Sequence, residues 1–251
     1  MSKLASVLLL LIIAMFPSNS SARMTITFAT QDFFPFSYLK NEKVAGPGAE
    51  IIREVCKEID VECDIKLYPW RRSLAMSEKG QIQALFMVGK NKEREQEFYF
   101  SPPLIATEYG FFECTEKPIN YNGVESLRNM TIGTYGPSNT SYNLEKFTIN
   151  FKSNINIDIT PDDLTQFKKL SRCRVDAVYS NRDVGLAAIK RLKLNNISYA
   201  ATEKSLNYYI AFSKRYTPSV LVRKLNFSLS QMKESGRLQQ ILQKYGLQAA
   251  D

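Results

Sequence analysis

The chain has 251 residues, a net charge of +8 and a hydrophobic fraction of 44%, the composition of a globular protein with one large domain or two ordinary ones. Lysine and arginine are interleaved with acidic residues, so the sequence lacks the concentrated basic stripe of a nucleic-acid-binding protein. The absence of histidine excludes Ser–His and Cys–His catalytic pairs.

The first 22 residues predict a secretory signal peptide. They combine one early lysine, an unbroken apolar run over 4–16 and small residues at Ser20 and Ala22. The run is too short for a comfortable membrane span, and no second segment of spanning length follows it. We therefore expect a soluble mature protein that begins near Arg23.

The next part of the chain predicts a βαβαβ series, which is typical of a doubly wound parallel sheet. Gly80 can take the left-handed conformation that follows a helix end. A charged turn over 90–97 returns Arg94 toward the carboxyl end of the preceding strand, where open α/β sheets hold ligands. The predicted elements are strands over 24–29, 64–67 and 82–88 and helices over 47–59 and 70–79.

A second series of the same kind begins after about residue 109. The predicted elements are strands over 131–134, 155–159 and 176–180, helices through 144–147, from 161 and over 182–192, a return crossing over 208–213, and helices over 218–235 and 237–245. The predicted fold is α/β, with two similar lobes that are each a doubly wound, mostly parallel sheet. Two extended crossings join the lobes.

Four cysteines in an exported chain favour disulfide bonds. Cys56 and Cys63 enclose a short segment between a helix and a strand, so a bridge between them is geometrically reasonable. Cys114 and Cys173 would then pair with each other, although four cysteines permit three connectivities. Bridges explain these residues better than a zinc site does, and we predict no metal and no cofactor.

Four segments, taken in their order along the chain, resemble the bacterial extracellular solute-binding proteins of family 3, the polar amino-acid receptors of ABC importers. They are CKEIDVEC at 56–63, the G-x-x-x-x-R motif from Gly89 to Arg94, FYFSPPL at 98–104 and RVDAVYSNRDVG at 174–185. The resemblance covers essentially the whole mature chain.

The resemblance implies a type II periplasmic binding fold, with lobe 1 at 23–108 plus 210–251 and lobe 2 at 109–209. It implies a monomeric periplasmic receptor of Gram-negative type that closes by hinge motion on a small carboxylate-bearing solute, an amino acid or a related compound. The expected partner is an ABC permease in the inner membrane, and no reaction is catalysed.

The resemblance also implies a ligand site between the lobes. Arg94 matches the family arginine that binds the ligand carboxylate in a bidentate pair, although an arginine in such a charged segment is otherwise a solvated residue. Ser138 and Asn139 lie where relatives present hydroxyl and N–H groups at a helix N-terminus, and helix capping would suit them equally. The other predicted ligand-binding residues are Phe33, Trp70, Met87, Gly89, Tyr135 and Asn181.

Met87 and Gly89 stand where family members usually place hydroxyl groups, so the pocket is expected to be more apolar than is usual. The carboxylates that hold a ligand α-ammonium are also replaced, by Thr30 and Asn181.

Asp32 and Asp183 lie two residues further along, and that offset changes where a side chain points. The ligand is therefore expected to be a small anion without a free α-amino group, or an amino acid held differently.

Two other functions remain open. The same cleft would serve a sensory receptor for a membrane signalling protein, which only the partner distinguishes from a transport receptor. Some proteins of this fold are dehydratases, and carboxylate chemistry involving Glu50, Glu108 or Glu113 is the enzymatic alternative, although glutamates are more often exposed.

Overall fold

The structure is a computed structural model that describes residues 24–150 and 154–251. The predicted signal peptide over residues 1–22 lies outside these ranges and stays a prediction. Within them, no helix is both long and apolar enough to cross a membrane.

The described chain alternates strands and helices as the sequence predicts, with small shifts at the element ends. The strands are β1 (Thr25–Thr30), β2 (Tyr38–Lys40), β3 (Lys43–Ala45), β4 (Glu62–Leu67), β5 (Ala84–Gly89), β6 (Phe98–Phe100), β7 (Ile105–Cys114), β8 (Thr131–Tyr135), β9 (Asn156–Thr160), β10 (Ala177–Asn181), β11 (Ile197–Ser213) and β12 (Gln248–Ala249). The helices are α1 (Pro47–Glu58), α2 (Trp70–Glu78), α3 (Lys92–Glu97), α4 (Asn139–Asn150), α5 (Asp163–Leu170), α6 (Arg182–Leu192), α7 (Ser219–Glu234) and α8 (Arg237–Gln243).

One continuous sheet runs through the molecule in the order β4-β1-β5-β11-β7-β10-β8-β9. β1 pairs in parallel with β4 and β5, and β8 pairs in parallel with β9 and β10. The two central strands, β7 and β11, run antiparallel to their neighbours. Each half is thus a mostly parallel sheet, which confirms the predicted two-lobed α/β fold.

The long strands β7 and β11 connect the two halves. The start of β7, at Ile105, pairs with β12, whereas Tyr109–Glu113 pair with β10. Along β11, Ile197–Lys204 pair with the second half of β7, and Tyr208 pairs with Gly89 of β5. Both strands therefore pass from the sheet of one lobe into the sheet of the other.

The lobe bounds at 23–108 plus 210–251 and at 109–209 remain a proposal, which this pairing supports. On β11, pairing with β7 extends from Ile197 to Tyr208, and β5 becomes the second neighbour of the strand at Tyr208. We therefore propose that the second crossing lies close to the predicted bound at 209.

Each lobe has a core of its own because its helices carry apolar residues at helical spacing. In lobe 1, Ile51 and Val55 of α1 are buried together with Leu225 of α7. In lobe 2, Phe111 of β7 packs on Tyr179 of β10, with ring centroids 5.0 Å apart. The apolar side chains of each lobe are thus buried mainly within that lobe, and the cleft lies between the two cores.

Two predicted segments differ from the structure. The turn over 90–97 contains the short helix α3, because the Asn91 side chain accepts a hydrogen bond from the Arg94 N–H at 2.8 Å and so caps a helical turn. The sequence predicts the return crossing over 208–213 only, whereas the observed strand β11 is longer and begins at Ile197. Polar residues over 202–207 hide the strand pattern in the sequence, and pairing with β7 orders them instead.

Candidate functional site

A cavity of about 60 Å³ lies between the lobes, at the carboxyl ends of β1, β5 and β8. A Cβ atom built on Gly89 of lobe 1 would lie 3.2 Å from Nδ2 of Asn139 in lobe 2, so the lobes touch at this point. The cavity is lined by Thr30, Gln31, Phe33, Trp70, Met87, Val88, Gly89, Arg94, Tyr109, Tyr135, Pro137, Ser138, Asn139, Thr140 and Tyr208. All the predicted ligand-binding residues except Asn181 are therefore together in one wall, while their binding role stays a prediction.

Arg94 is the cation of this wall. It is half-buried, and burial lowers the pKa of its guanidinium group. One terminal nitrogen donates to the Gly89 carbonyl oxygen at 2.7 Å, and the guanidinium carbon lies 5.3 Å from the centroid of the Trp70 ring. Since a guanidinium group has five N–H donors, most of its donors stay open to an anion in the cavity.

Met87 and Gly89 form the apolar end of β5 beside Arg94. Met87 is buried and has a positive φ of 56°, a left-handed conformation that costs a non-glycine residue about 1–3 kcal/mol. Strained residues of this kind cluster at binding sites. The absence of hydroxyl groups here agrees with the expected apolar character of this wall.

Aromatic rings form a second side of the cavity. The Phe33 ring contacts Phe36 at 5.1 Å and Tyr208 at 5.7 Å between centroids. Phe36 is fully buried and is absent from the cavity wall, whereas Phe33 is half-buried and lines it. The arrangement separates a core ring, Phe36, from a cavity ring, Phe33.

Ser138 caps α4 rather than offering a free hydroxyl group. Its hydroxyl donates to the Tyr135 carbonyl oxygen at 2.6 Å and accepts from the Ser141 N–H at 3.1 Å. Its own N–H donates to the Ser141 hydroxyl at 3.0 Å. The structure therefore supports the capping alternative for Ser138, while Asn139 and Thr140 in the first turn still line the cavity.

Asn181 is a correction to the predicted site, because its amide is fully engaged away from the cavity. Its side-chain oxygen accepts from the Asp183 and Val184 N–H groups at 3.0 and 3.1 Å and caps α6. Its nitrogen donates to the Thr107 hydroxyl at 2.8 Å and to the Tyr208 hydroxyl at 3.2 Å. Asn181 is 2% exposed and acts as a structural residue at the crossing.

Thr30, which stands at the other carboxylate position, and Asp183, two residues beyond Asn181, do not supply a free carboxylate to this cavity either. Thr30 is 1% exposed and carries no charge. The Asp183 carboxylate accepts from the Thr107 hydroxyl at 2.7 Å, and burial raises its pKa.

Tyr109 and Tyr208 are wall residues that the sequence did not identify. Both rings are buried, and burial raises the pKa of each hydroxyl. Hydrogen bonds with Tyr208 and Thr140 offset part of the rise for Tyr109. The pair supplies hydroxyl groups to a cavity that lacks them at Met87 and Gly89. Only the pairing of β7 with β11 brings these tyrosines together, so no local motif marks them.

The structure contains the predicted Cys56–Cys63 disulfide bond, which links the end of α1 to β4. The Cys114 and Cys173 sulfur atoms lie 2.6 Å apart as free thiols. Their proximity supports the second predicted bridge, which remains a prediction that alkylation of the unreduced protein would test.

The model of the bacterial extracellular solute-binding proteins, family 3, matches residues 26–248. The chain belongs to this family. It is 27% identical over 224 residues to "Probable amino-acid-binding protein YxeM" of Bacillus subtilis, an alignment that covers 86% of this chain and 81% of that protein.

Two solved structures share the fold. One, from work on glutathione import via GshT and the cystine ABC importer TcyBC of Streptococcus mutans, has a TM-score of 0.80 and 21% identity, and the match covers 91% of this chain and 98% of that one. The other is a histidine kinase sensor domain similar to periplasmic binding proteins, with a TM-score of 0.79, 18% identity and the same coverage.

Proposed function

We propose that this protein is a periplasmic receptor that traps a small carboxylate-bearing solute between its lobes and delivers it to an ABC importer. The observation that carries the proposal is the environment of Arg94. The guanidinium group lines the interlobe cavity, and no carboxylate of the described chain lies within 4.0 Å of it.

A half-buried cation without an anionic partner is costly, because burial removes water that would otherwise solvate the charge. The contacts with Gly89 and Trp70 hold the group in place without neutralising it. A ligand carboxylate supplies the missing charge and accepts a bidentate pair of hydrogen bonds. Because the group is already oriented, binding loses little side-chain entropy.

Contact between the lobes provides the trapping step. Gly89 and Asn139 approach each other across the cleft beside Arg94, so a solute held at Arg94 is covered by the opposite lobe. The long strands β7 and β11 join the lobes and serve as the hinge. The solute makes contacts with both lobes only in the closed form, so binding shifts the population toward that form.

The test is the thermal stability of the purified protein with amino acids and organic acids. We expect a carboxylate-bearing solute to raise the melting temperature and Arg94→Ala to abolish that rise. Arg94→Lys should weaken binding about tenfold or more, because lysine cannot form the bidentate pair. The matched control is Arg71→Ala, since Arg71 is an exposed arginine of α2. An unchanged ligand response in Arg94→Ala would contradict the assignment.

A sensory receptor is the second candidate, favoured by the similarity to the histidine kinase sensor domain. Stimulation of ATP hydrolysis by a reconstituted importer, with the solute-loaded protein added, separates the two. Transport predicts stimulation, whereas a sensor would bind its solute without stimulating the importer.

A further inference from the structure

A second interlobe cavity of about 210 Å³ adjoins the Arg94 cavity. The two share Gln31, Phe33 and Tyr135 as lining residues, so these side chains stand between them. The second cavity is thus an extension of the proposed ligand cleft and not a separate surface depression. A solute bound at Arg94 that extends past Tyr135 would enter it.

The second cavity has a charge opposite to that of the first. Its charged lining residues are Asp32 from lobe 1, Asp162 and Asp163 at the start of α5 in lobe 2, and Arg191 of α6. Three carboxylates therefore face one guanidinium group. Phe33, Phe34, Leu164 and Val184 supply an apolar wall that suits an alkyl chain.

Asp163 is the least exposed of the three carboxylates of this cavity. Its oxygen accepts a hydrogen bond from the Ser180 hydroxyl at 3.0 Å, and no lysine or arginine of the described chain lies within 4.0 Å of it. Burial raises its pKa to about 6, Ser180 opposes the rise, and Asp162 adds to it. The Asp163 charge also raises the pKa of Tyr135 and Tyr109, so its field reaches the walls of the Arg94 cavity.

The other two carboxylates are exposed to solvent. Asp162 accepts hydrogen bonds from the N–H and hydroxyl groups of Thr165 at 2.7 and 2.8 Å and caps α5. Asp32 is an exposed residue of the cavity wall. Partial burial raises the pKa of its carboxyl group, and the positive charge of Arg191 offsets part of that rise. Asp163 is therefore the carboxylate with most to gain from a ligand cation, and Asp32 faces it from the opposite lobe.

We propose that this second cavity binds a cationic group of the solute, with Asp163 as its principal partner. The solute class is then a molecule with a carboxylate at one end and an ammonium or guanidinium group at the other, joined by an alkyl chain. Such a solute needs no carboxylate at positions 30 and 181, because its cation reaches past Tyr135. This inference rests on the proposed function, since Arg94 must hold the carboxylate end.

Two matched pairs of solutes test the inference by isothermal titration at pH 7.5. They are 5-aminovalerate against valerate, and L-arginine against L-citrulline; in each pair only the first member carries the distal cation. We expect the cationic member to bind about tenfold or more tightly, as a charge-assisted hydrogen bond in a partly buried site provides. Asp163→Asn should reduce this preference to about twofold or less. Asparagine keeps the shape and can still accept from Ser180.

The matched control is Asp64→Asn, which removes the same charge from a half-exposed residue of β4 that lines neither cavity. It should leave the preference unchanged. In the wild type the preference should also shrink below about pH 6, as Asp163 becomes protonated. Asp163→Asn should lose this pH dependence; the other charged residues that line the cavity are Asp32, Asp162 and Arg191.

The outcomes separate the two proposals. If no member of either pair binds and the wider solute set also gives no response, the proposed function is wrong. If valerate binds as tightly as 5-aminovalerate, the receptor stands and the cation site is wrong. A preference that persists in Asp163→Asn would overturn the role of Asp163.

Discussion

At Arg94 and Asp163 the protein holds two opposite charges in one cleft without pairing them with each other. Arg94 contacts a carbonyl oxygen and an aromatic ring, and Asp163 contacts a serine hydroxyl. Internal ion pairs would satisfy both charges in the empty protein and would weaken its interaction with a solute. Leaving the two charges unpaired costs stability, and under the two proposals a solute of complementary charge recovers that stability on binding.

Asn181 illustrates the opposite case at the residue scale, since all its hydrogen bonds are internal. We expect Asn181→Ala to lower the free energy of unfolding by about 1–2 kcal/mol, because α6 loses its cap. Solute affinity should change by less than about twofold, because the side chain lies outside the cavity. Urea unfolding and titration calorimetry measure the two quantities.

The control for Asn181 is Asn195→Ala, an exposed asparagine beyond the end of α6, which should change neither quantity. A large loss of solute affinity in Asn181→Ala at unchanged stability would restore Asn181 as a ligand contact.

At the scale of elements, the Cys56–Cys63 bond fixes the passage from α1 into β4. β4 is the edge strand of the sheet and pairs with β1, whose carboxyl end carries Thr30 and Gln31 into the cavity wall. The disulfide bond therefore limits fraying of the edge strand β4, and β4 in turn pairs with β1, which carries residues of the cavity wall.

We expect replacement of Cys56 and Cys63 by serine to lower the free energy of unfolding by about 2–3 kcal/mol, the chain-entropy value for a short closed loop. Chemical denaturation measures the change, with the reduced wild type as the matched comparison. Equal stability of the oxidised and reduced wild type would show that the bond contributes nothing to the fold.

At the scale of the molecule, the proposed function requires that the lobes separate and close. We expect the solute to reduce the radius of gyration measured by small-angle scattering, because binding at Arg94 favours the form in which Gly89 meets Asn139. Arg94→Ala with the same solute should show no reduction. Identical scattering of the wild type with and without a bound solute would contradict hinge closure.

The sequence by itself determined the order of strands and helices, the two-lobed α/β fold and the Cys56–Cys63 pair. The strands and helices follow from local periodicity, whereas the binding role of Arg94 rests on the family resemblance of its motif and stays a prediction. Tertiary structure decided which polar groups remain free to bind. The sequence predicts Asn181 as a ligand contact. In the structure its side-chain oxygen caps α6 and its side-chain nitrogen donates to Thr107 and Tyr208. Folding likewise placed Asp163 in an interlobe cavity, where it forms no ion pair with a lysine or arginine of the described chain. Hydrogen-bond partners and burial depend on residues far apart in the chain, so no local pattern could reveal them.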